Sequence, residues 1–410
     1  MLKFTYLSEI IQIKMKKLIF SVLLITSFTT MAQNKGIEFL NDTVLDRVLS
    51  KAKAENKLVF IDCYAVWCGP CKFMANNIFI DETVGKFHNS NFINLKYDME
   101  KPYGMKIKQK YQVKGYPTYL YLDTNGEVIH RGIGSTPDAA AFLEISKTAT
   151  NGDKNFRSVV KKLNQGDRTA ATLKEYLTLN YRAANTDSLL NDHFRLTSYD
   201  EKFSPETWEL YKEHLNNPDN QAFQFFISKI NTYKEKFGNK AVNDKLWDSF
   251  TAIYRATPDK YEALKEIDND LFVSHKRFVK FSVSNSKYLK DKTDIALWKE
   301  FIATATDYLS NNEVKPSQLN TIAWTIFENY KTFKDKAALK LASEWSKRSM
   351  TEEPENPAYM DTFAHIQYDR GDKKNAIFYQ ERAIRTARDK KSEDVAEMEE
   401  SLKKFQGKKK

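Results

Sequence analysis

The chain has 410 residues, 13% of them aromatic, and a formal net charge of +10. This length is enough for about two or three domains with sizeable cores. The charge does not indicate nucleic-acid binding, because the first 33 residues contribute +3 and five lysines fall in the last eight residues, whereas a nucleic-acid-binding protein needs a basic face with interleaved aromatic side chains.

The region 16–32 is typical of a secretory signal: two lysines, an apolar run and a small-x-Ala cleavage site ending at Ala32. Met15 is then the expected start, and residues 1–14 are a mis-assigned extension. The apolar run is too short to span a bilayer as a mature helix. We therefore assign residues 1–33 to a signal peptide and its extension and expect a periplasmic protein. The alternative is an uncleaved N-terminal anchor.

Residues 34–150 are predicted to alternate strands and helices. The first helix covers the apolar positions 44–52, with Asp42 or Thr43 as its cap. The elements that follow are a strand at 58–65, a helix from Pro70, a helix from Asp81 to Phe87, a strand at 92–97, a helix at 106–111, hairpin strands at 118–122 and 127–131 joined across Asn125-Gly126, and a helix from Thr136 to Lys147.

Residues 151–317 lack strand alternation and are predicted to be α-helical. One helix is expected from Pro218 to Phe237, with Gly238 as its stop, and another from Asn239 to Arg255.

Residues 318–405 contain a weak internal repeat. The stretch 321–324 corresponds to 362–365, and 335–338 corresponds to 372–375. We interpret the units as tetratricopeptide-like helical hairpins, which would offer a surface to a partner protein. The alternative is a plain helical bundle that packs only against itself.

The most informative motif is Trp67-Cys68-Gly69-Pro70-Cys71, directly after the predicted strand 58–65. A Cys-x-x-Cys pair at a strand-to-helix junction is suited to thiol–disulfide exchange. The first sulfur lies near the positive end of a helix, which favours its thiolate. Pro70 is tolerated in the first helical turn because its missing N–H would be unpaired there.

A zinc site is the main chemical alternative for this cysteine pair, but structural zinc needs four ligands. The remaining candidates Cys63, His88 and His130 show no ligand spacing. We therefore expect no metal and no cofactor. Cys63 follows Asp62 on a strand, so its side chain points to the opposite face, as a buried small hydrophobe or, alternatively, a regulatory thiol.

Downstream, Gly115-Tyr116-Pro117-Thr118 precedes the strand-like residues 119–122 and the turn 123–126. Together with the cysteine motif, this pattern resembles the thioredoxin family over roughly residues 37–148, and most of all its periplasmic domains with an opening stretch like 52–57. The resemblance implies an α/β thioredoxin fold, a central mixed sheet flanked by helices, followed here by an all-α helical-hairpin region. It also implies a cis peptide bond at Pro117.

The resemblance assigns the catalytic roles. Cys68 is expected to attack a substrate disulfide, and Cys71 to resolve the mixed disulfide. Asp62 matches a buried carboxylate that could accept the proton of Cys71; the alternative is an aspartate at a sheet edge. The family pairs this carboxylate with a lysine on the neighbouring strand, and the matching position is taken as Asn94, with Lys96 two residues on.

Further residues are expected, by the same resemblance, to shape the substrate surface. Tyr64 stands where the family has another tryptophan, and Gly134 matches a glycine that leaves room for substrate. The remaining positions in this set are Trp67, Gly69, Pro70, Tyr116, Pro117 and Thr118.

These features predict a thiol–disulfide oxidoreductase of the bacterial envelope that reduces or exchanges disulfides in exported proteins. Such an enzyme would need a membrane electron donor, and the hairpins could bind a further protein partner; no nucleic-acid partner is expected. Two alternatives stay open. One is a disulfide oxidase or isomerase, and the other is a helical-repeat scaffold in an envelope complex with an accessory redox domain.

Overall fold

The computed structural model describes residues 36–40, 44–180, 184–390, 392 and 394–407. The predicted signal peptide with its cleavage site at Ala32, and the proposed caps Asp42 and Thr43, lie outside the described residues. Among the helices of these ranges, none combines the length and apolar character needed to cross a bilayer. The chain divides into two compact units, residues 1–228 and 229–410.

A four-stranded mixed sheet organises the first unit, with the strand order β2-β1-β3-β4. β1 pairs with β2 in parallel and with β3 antiparallel, and β3 pairs with β4 antiparallel. The strands are β1 (Leu58–Tyr64), β2 (Phe92–Asp98), β3 (Thr118–Leu122) and β4 (Val128–Ile133).

Helices flank both faces of the sheet. They are α1 (Leu45–Glu55), α2 (Gly69–Phe73), which continues into a π-helical turn (Met74–Ile78), α3 (Glu82–Asn91), α4 (Pro102–Lys110) and α5 (Ala139–Thr150). Two of their starts follow from local chemistry: Asp81 accepts hydrogen bonds from two backbone N–H groups of α3, and Asp138 accepts one in α5. The predicted α/β fold is confirmed.

Alternation along β1 divides the core into two layers. Val59, Ile61 and Cys63 pack with α1 and α4 on one face. Phe60 packs with the π-helical turn, α3 and α5 on the other face. Because β1 lies between two strands and both of its faces are covered, its middle five residues are all buried.

The helices that follow in the first unit are α6 (Phe156–Asn164), α7 (Ala170–Leu179), α8 (Thr186–Leu196), α9 (Pro205–His214) and α10 (Gln221–Ser228). α6 and α7 lie against β4. The Phe156 N–H donates to His130 Nδ1 at 3.1 Å, and Arg131 donates to Asn180 Oδ1 at 3.3 Å. The predicted boundaries at 150 and 317 stay predictions.

The second unit is helical throughout its described part. Its elements are α11 (Ile230–Phe237), α12 (Asn239–Ala256), a 3-10 helix (Pro258–Glu266), α13 (Asn269–Lys290), α14 (Ile295–Asn311), α15 (Pro316–Phe333), α16 (Lys336–Glu352), α17 (Pro357–Asp369), α18 (Lys373–Asp389) and α19 (Val395–Phe405). α15 packs against α16, and α17 against α18. The all-α region is therefore confirmed, and its kinship to tetratricopeptide repeats stays a prediction.

One predicted helix is wrong. The pattern from Pro218 to Phe237 forms two helices, because α10 ends at Ser228 and α11 begins at Ile230. The Ser228 hydroxyl donates to the carbonyl of Phe225 at 2.8 Å. A serine bond of this kind competes with the backbone ladder, and it lies at the residue where α10 ends.

Candidate active site

The two cysteines of the motif lie where β1 gives way to α2. Cys68 is the N-cap of α2, and its Sγ accepts a hydrogen bond from the Cys71 N–H at 3.1 Å. Pro70 lies in the first turn. The two sulfurs are joined at 2.00 Å, with the Cα atoms 5.3 Å apart. In the reduced state the same N–H and the helix N-terminus would stabilise a Cys68 thiolate.

The Cys68–Cys71 pair is buried next to an exposed aromatic side chain, Trp67. Cys68 and Cys71 pack with Ala65 and contact Tyr64 and Tyr116. The two cysteines are only 3% and 5% exposed, whereas the neighbouring Trp67 is 67% exposed. Gly69 has open space around the position of a Cβ.

The Tyr116–Pro117 bond is cis, as the resemblance implies. The ring of Tyr116 lies edge-on to Trp67, with 6.0 Å between the ring centroids. Thr118 starts β3, and its hydroxyl donates to the carbonyl of Gly115 at 2.8 Å. These contacts bring the motif and the proline segment together.

Gly134 donates its backbone N–H to the carbonyl of Pro117 at 2.9 Å. A Cβ at this position would meet no atom within 4 Å, so the space beside it is open. Its φ of +85° is the observed reason for a glycine, since side chains disfavour that region.

Asp62 lies in the middle of the sheet. It pairs with Lys96 of β2 on one side and with Tyr119 of β3 on the other, which rules out the sheet-edge alternative. Asn94 lies opposite Phe60 in the same register. Its match to the family's lysine position stays a prediction, and Lys96 is the residue that pairs with Asp62 on β2.

Burial controls the ionisation of Asp62. Its Oδ1 has no hydrogen-bond partner among the described residues. Desolvation raises the pKa of Asp62 from 3.8 to about 7, partly offset by the positive charge of Lys96. A carboxyl with such a pKa can both take up and release a proton at neutral pH. Its service as the base for Cys71 stays a prediction.

Cys63 lies on the opposite face of β1 from Asp62, packed among apolar side chains. It is fully buried, and burial raises the pKa of its thiol. The histidines are engaged elsewhere: His88 contacts Ser146 Oγ at 2.8 Å and His130 accepts from α6. Within the described ranges, no group of three or more His, Cys, Asp or Glu residues is arranged to hold a metal ion.

Sequence reasoning missed two residues that hold Tyr116. Lys108 Nζ donates to Tyr116 Oη at 2.7 Å, and the Tyr116 hydroxyl donates to Glu100 Oε1 at 3.4 Å. These partners are eight and sixteen positions away along the chain, and no local pattern marks them.

The thioredoxin family model matches residues 37–145. A thioredoxin H-type of Oryza sativa subsp. indica is 34% identical over 99 residues, covering 24% of this chain and 76% of that protein. Thioredoxin-1 of Saccharomyces cerevisiae is 35% identical over 88 residues, covering 22% of this chain and 79% of that protein.

Two further proteins are similar over the same region. The thiol:disulfide interchange protein DsbD 2 of Pseudomonas aeruginosa is 30% identical over 101 residues, covering 24% of this chain but only 17% of that protein. The solution structure of a putative disulphide-isomerase from Bacteroides thetaiotaomicron is 39% identical and covers 28% of this chain and 95% of that chain, with a TM-score of 0.27. Because the rice and yeast proteins match over most of their own length, the chain belongs to the thioredoxin family and is a thiol–disulfide oxidoreductase.

Proposed function

We propose that the protein reduces or exchanges disulfides in exported proteins of a bacterial envelope. The observation that carries the proposal is the hydrogen bond from the Cys71 N–H to Cys68 Sγ at the start of α2, which favours an attacking thiolate. The signal-like pattern of residues 16–32 supports export, with cleavage near Ala32 and a periplasmic location.

The reaction balances as a two-electron exchange. The Cys68 thiolate attacks one sulfur of the substrate disulfide, forms a mixed disulfide and releases the other sulfur as a thiolate. Asp62 accepts the proton of Cys71, and the Cys71 thiolate then attacks Cys68 Sγ. The second substrate thiolate leaves. One of the two substrate thiolates takes up the proton that Asp62 releases, and the other takes up a proton from solvent. The substrate has gained two electrons, and the protein holds the Cys68–Cys71 disulfide.

Continued turnover requires a dithiol that reduces the Cys68–Cys71 pair again. In the envelope we assign this role to a membrane protein that donates electrons. The helical hairpins of the second unit are the proposed surface for a further protein partner. If the protein instead serves as a scaffold, deletion of residues 154–410 would abolish its cellular effect and Cys68→Ser would not.

The direction of exchange depends on the reduction potential of the pair, measured by counting free thiols after equilibration in graded thiol–disulfide buffers. A value near about −270 mV supports a reductase, and one near about −120 to −180 mV supports the oxidase or isomerase alternative. A pair that does not titrate would refute the redox function.

Cysteine variants test the mechanism directly. Cys68→Ser should abolish disulfide reduction, and Cys71→Ser should accumulate a mixed disulfide with the substrate. Cys63→Ser is the matched control, because this thiol lies in the core on the other face of β1. Full activity of Cys68→Ser would contradict the mechanism. Cell fractionation with N-terminal sequencing tests export, which predicts a mature chain that begins at Gln33.

A further inference from the structure

Tyr116 contacts both the buried Cys68–Cys71 pair and the exposed side chain of Trp67. It directly precedes the cis-proline, touches the cluster that contains Cys68 and Cys71, and lies edge-on to the exposed ring of Trp67. A substrate that reaches Cys68 past Trp67 therefore meets the ring of Tyr116. The orientation of the Tyr116 ring should therefore affect the affinity for substrate.

Two charged groups hold this ring in place. The Lys108 ammonium donates to the hydroxyl at 2.7 Å and lies 5.1 Å from the ring centroid. The hydroxyl in turn donates to Glu100 at 3.4 Å. The hydrogen bond to Tyr116 is also the main reason why the pKa of Lys108 is raised.

The helix that carries Lys108 is closely packed. At Gly104 of α4, a Cβ would lie 2.0 Å from the Asp98 carbonyl oxygen, so the helix packs directly on the end of β2. The N–H of Leu45, the first residue of α1, donates to Tyr103 Oη of α4 at 2.8 Å. The base of the Lys108 side chain is thus fixed relative to the sheet.

The segments that carry the cysteine motif and Lys108 also expose apolar side chains. Val66 is 60% exposed, Phe73 42% and Met105 51%. Met105 precedes Lys108 by three positions on α4, so the two side chains are neighbours on the helix surface. A polypeptide that covers the Trp67–Tyr116 contact would bury apolar area there.

We propose that Lys108 is a positioning residue for polypeptide substrates: its bond to the hydroxyl of Tyr116 fixes the ring against Trp67 and so prepares the docking surface beside Cys68. The inference rests on the proposed reduction of protein disulfides. It assigns Lys108 to substrate affinity and leaves the chemistry of the dithiol to Cys68, Cys71 and Asp62.

The expected effect follows from the rotamers of Tyr116. A side chain without its tether can sample about three staggered wells at χ1. If one of them is competent for docking, the competent fraction falls towards about one third and the apparent dissociation constant rises about threefold.

The test uses the full chain, insulin as the polypeptide disulfide and dithiothreitol as the electron source. Lys108→Met keeps the aliphatic stem and removes the donor. Tyr116→Phe keeps the ring and removes the acceptor for Lys108, together with the longer bond to Glu100. Each should raise KM for insulin about threefold with little change in kcat. The double variant should show no larger rise than Tyr116→Phe alone, because that variant already lacks the interaction with Lys108.

Two controls make the result specific. Lys108→Arg should restore the KM, since a guanidinium also donates to a hydroxyl. Lys106→Met removes an exposed lysine of the same helix and should leave the KM unchanged.

The inference is overturned if Lys108→Met leaves the KM unchanged, if the double variant shows about a ninefold rise, or if Lys106→Met has the same effect as Lys108→Met. Failure of the proposed function looks different. In that case the wild-type protein reduces neither insulin nor the neutral small molecule bis(2-hydroxyethyl) disulfide. If instead all variants reduce both substrates with the same KM, only the role of Lys108 is overturned.

Discussion

Replacement of Asp62 by asparagine should stabilise the protein, and more so at high pH. The native carboxyl has a pKa of about 7, against an ordinary value of 3.8. Between these two values the native state keeps a proton that the unfolded chain has lost. The wild-type protein therefore loses stability as the pH rises from 3.8 to about 7. Asparagine does not titrate and escapes this loss.

The magnitude follows from the displaced pKa. At about 1.4 kcal/mol per pH unit, the full effect is about 4 kcal/mol above pH 7. At about pH 5 the effect has reached only part of this value, so the advantage of Asp62→Asn should grow by about 3 kcal/mol between about pH 5 and about pH 8.5.

Amide hydrogen exchange of the β1 peptide, followed by mass spectrometry, measures this difference within the sheet. Both proteins are compared in the disulfide form at the same pH, so that the intrinsic pH dependence of exchange cancels. The protection factor of Asp62→Asn relative to wild type should rise roughly a hundredfold over this range. An equal ratio at both pH values would refute the desolvated carboxyl.

Three further changes test packing and titration elsewhere. Gly104→Ala forces a Cβ onto the backbone at the end of β2 and should destabilise α4 by about 2 kcal/mol in the same exchange assay, whereas Gly152→Ala, with open space around its Cβ, should not. Burial lowers the pKa of His88 from 6.5 to about 4. Its native state thus binds fewer protons than the unfolded chain, and stability should fall by about 3 kcal/mol as the pH drops across that window; denaturant titrations of His88→Gln should show a flatter dependence. Phe405→Ala removes a ring stacked on Tyr368, with 4.6 Å between the ring centroids, and should lower the free energy of unfolding by about 3 kcal/mol or more. Hydrogen exchange should show lost protection of α19, and unchanged exchange there would contradict the prediction.

Features formed by residues close together in the sequence could be predicted from the sequence, because they need few partners. Asp81, where a helix is expected to begin, caps α3 by bonds to N–H groups two and three residues away. The dithiol needs only five consecutive residues, and Pro117 follows from the same family pattern. These signals position the site at the end of β1 without any knowledge of the tertiary structure.

Contacts between segments far apart in the sequence could not be predicted in the same way. The strand partner of Asp62 depends on the register of β1 and β2, which pairs it with Lys96 rather than with Asn94 two positions earlier. A shift of two keeps each side chain on its face, so the hydrophobic pattern does not distinguish the two registers. The bond from Lys108 to Tyr116 could not be predicted either, because it forms only when α4 and the proline segment pack together.

The contacts of His130 and Arg131 bear on where the chain can be cut. A fragment that stops at residue 150 would leave the His130 ring without its donor from α6 and the Arg131 guanidinium without Asn180. It would also uncover the outermost strand, which could then pair with another extended chain and aggregate. We expect that an expressible catalytic fragment must extend through α7, to about residue 180, even though the family resemblance ends much earlier.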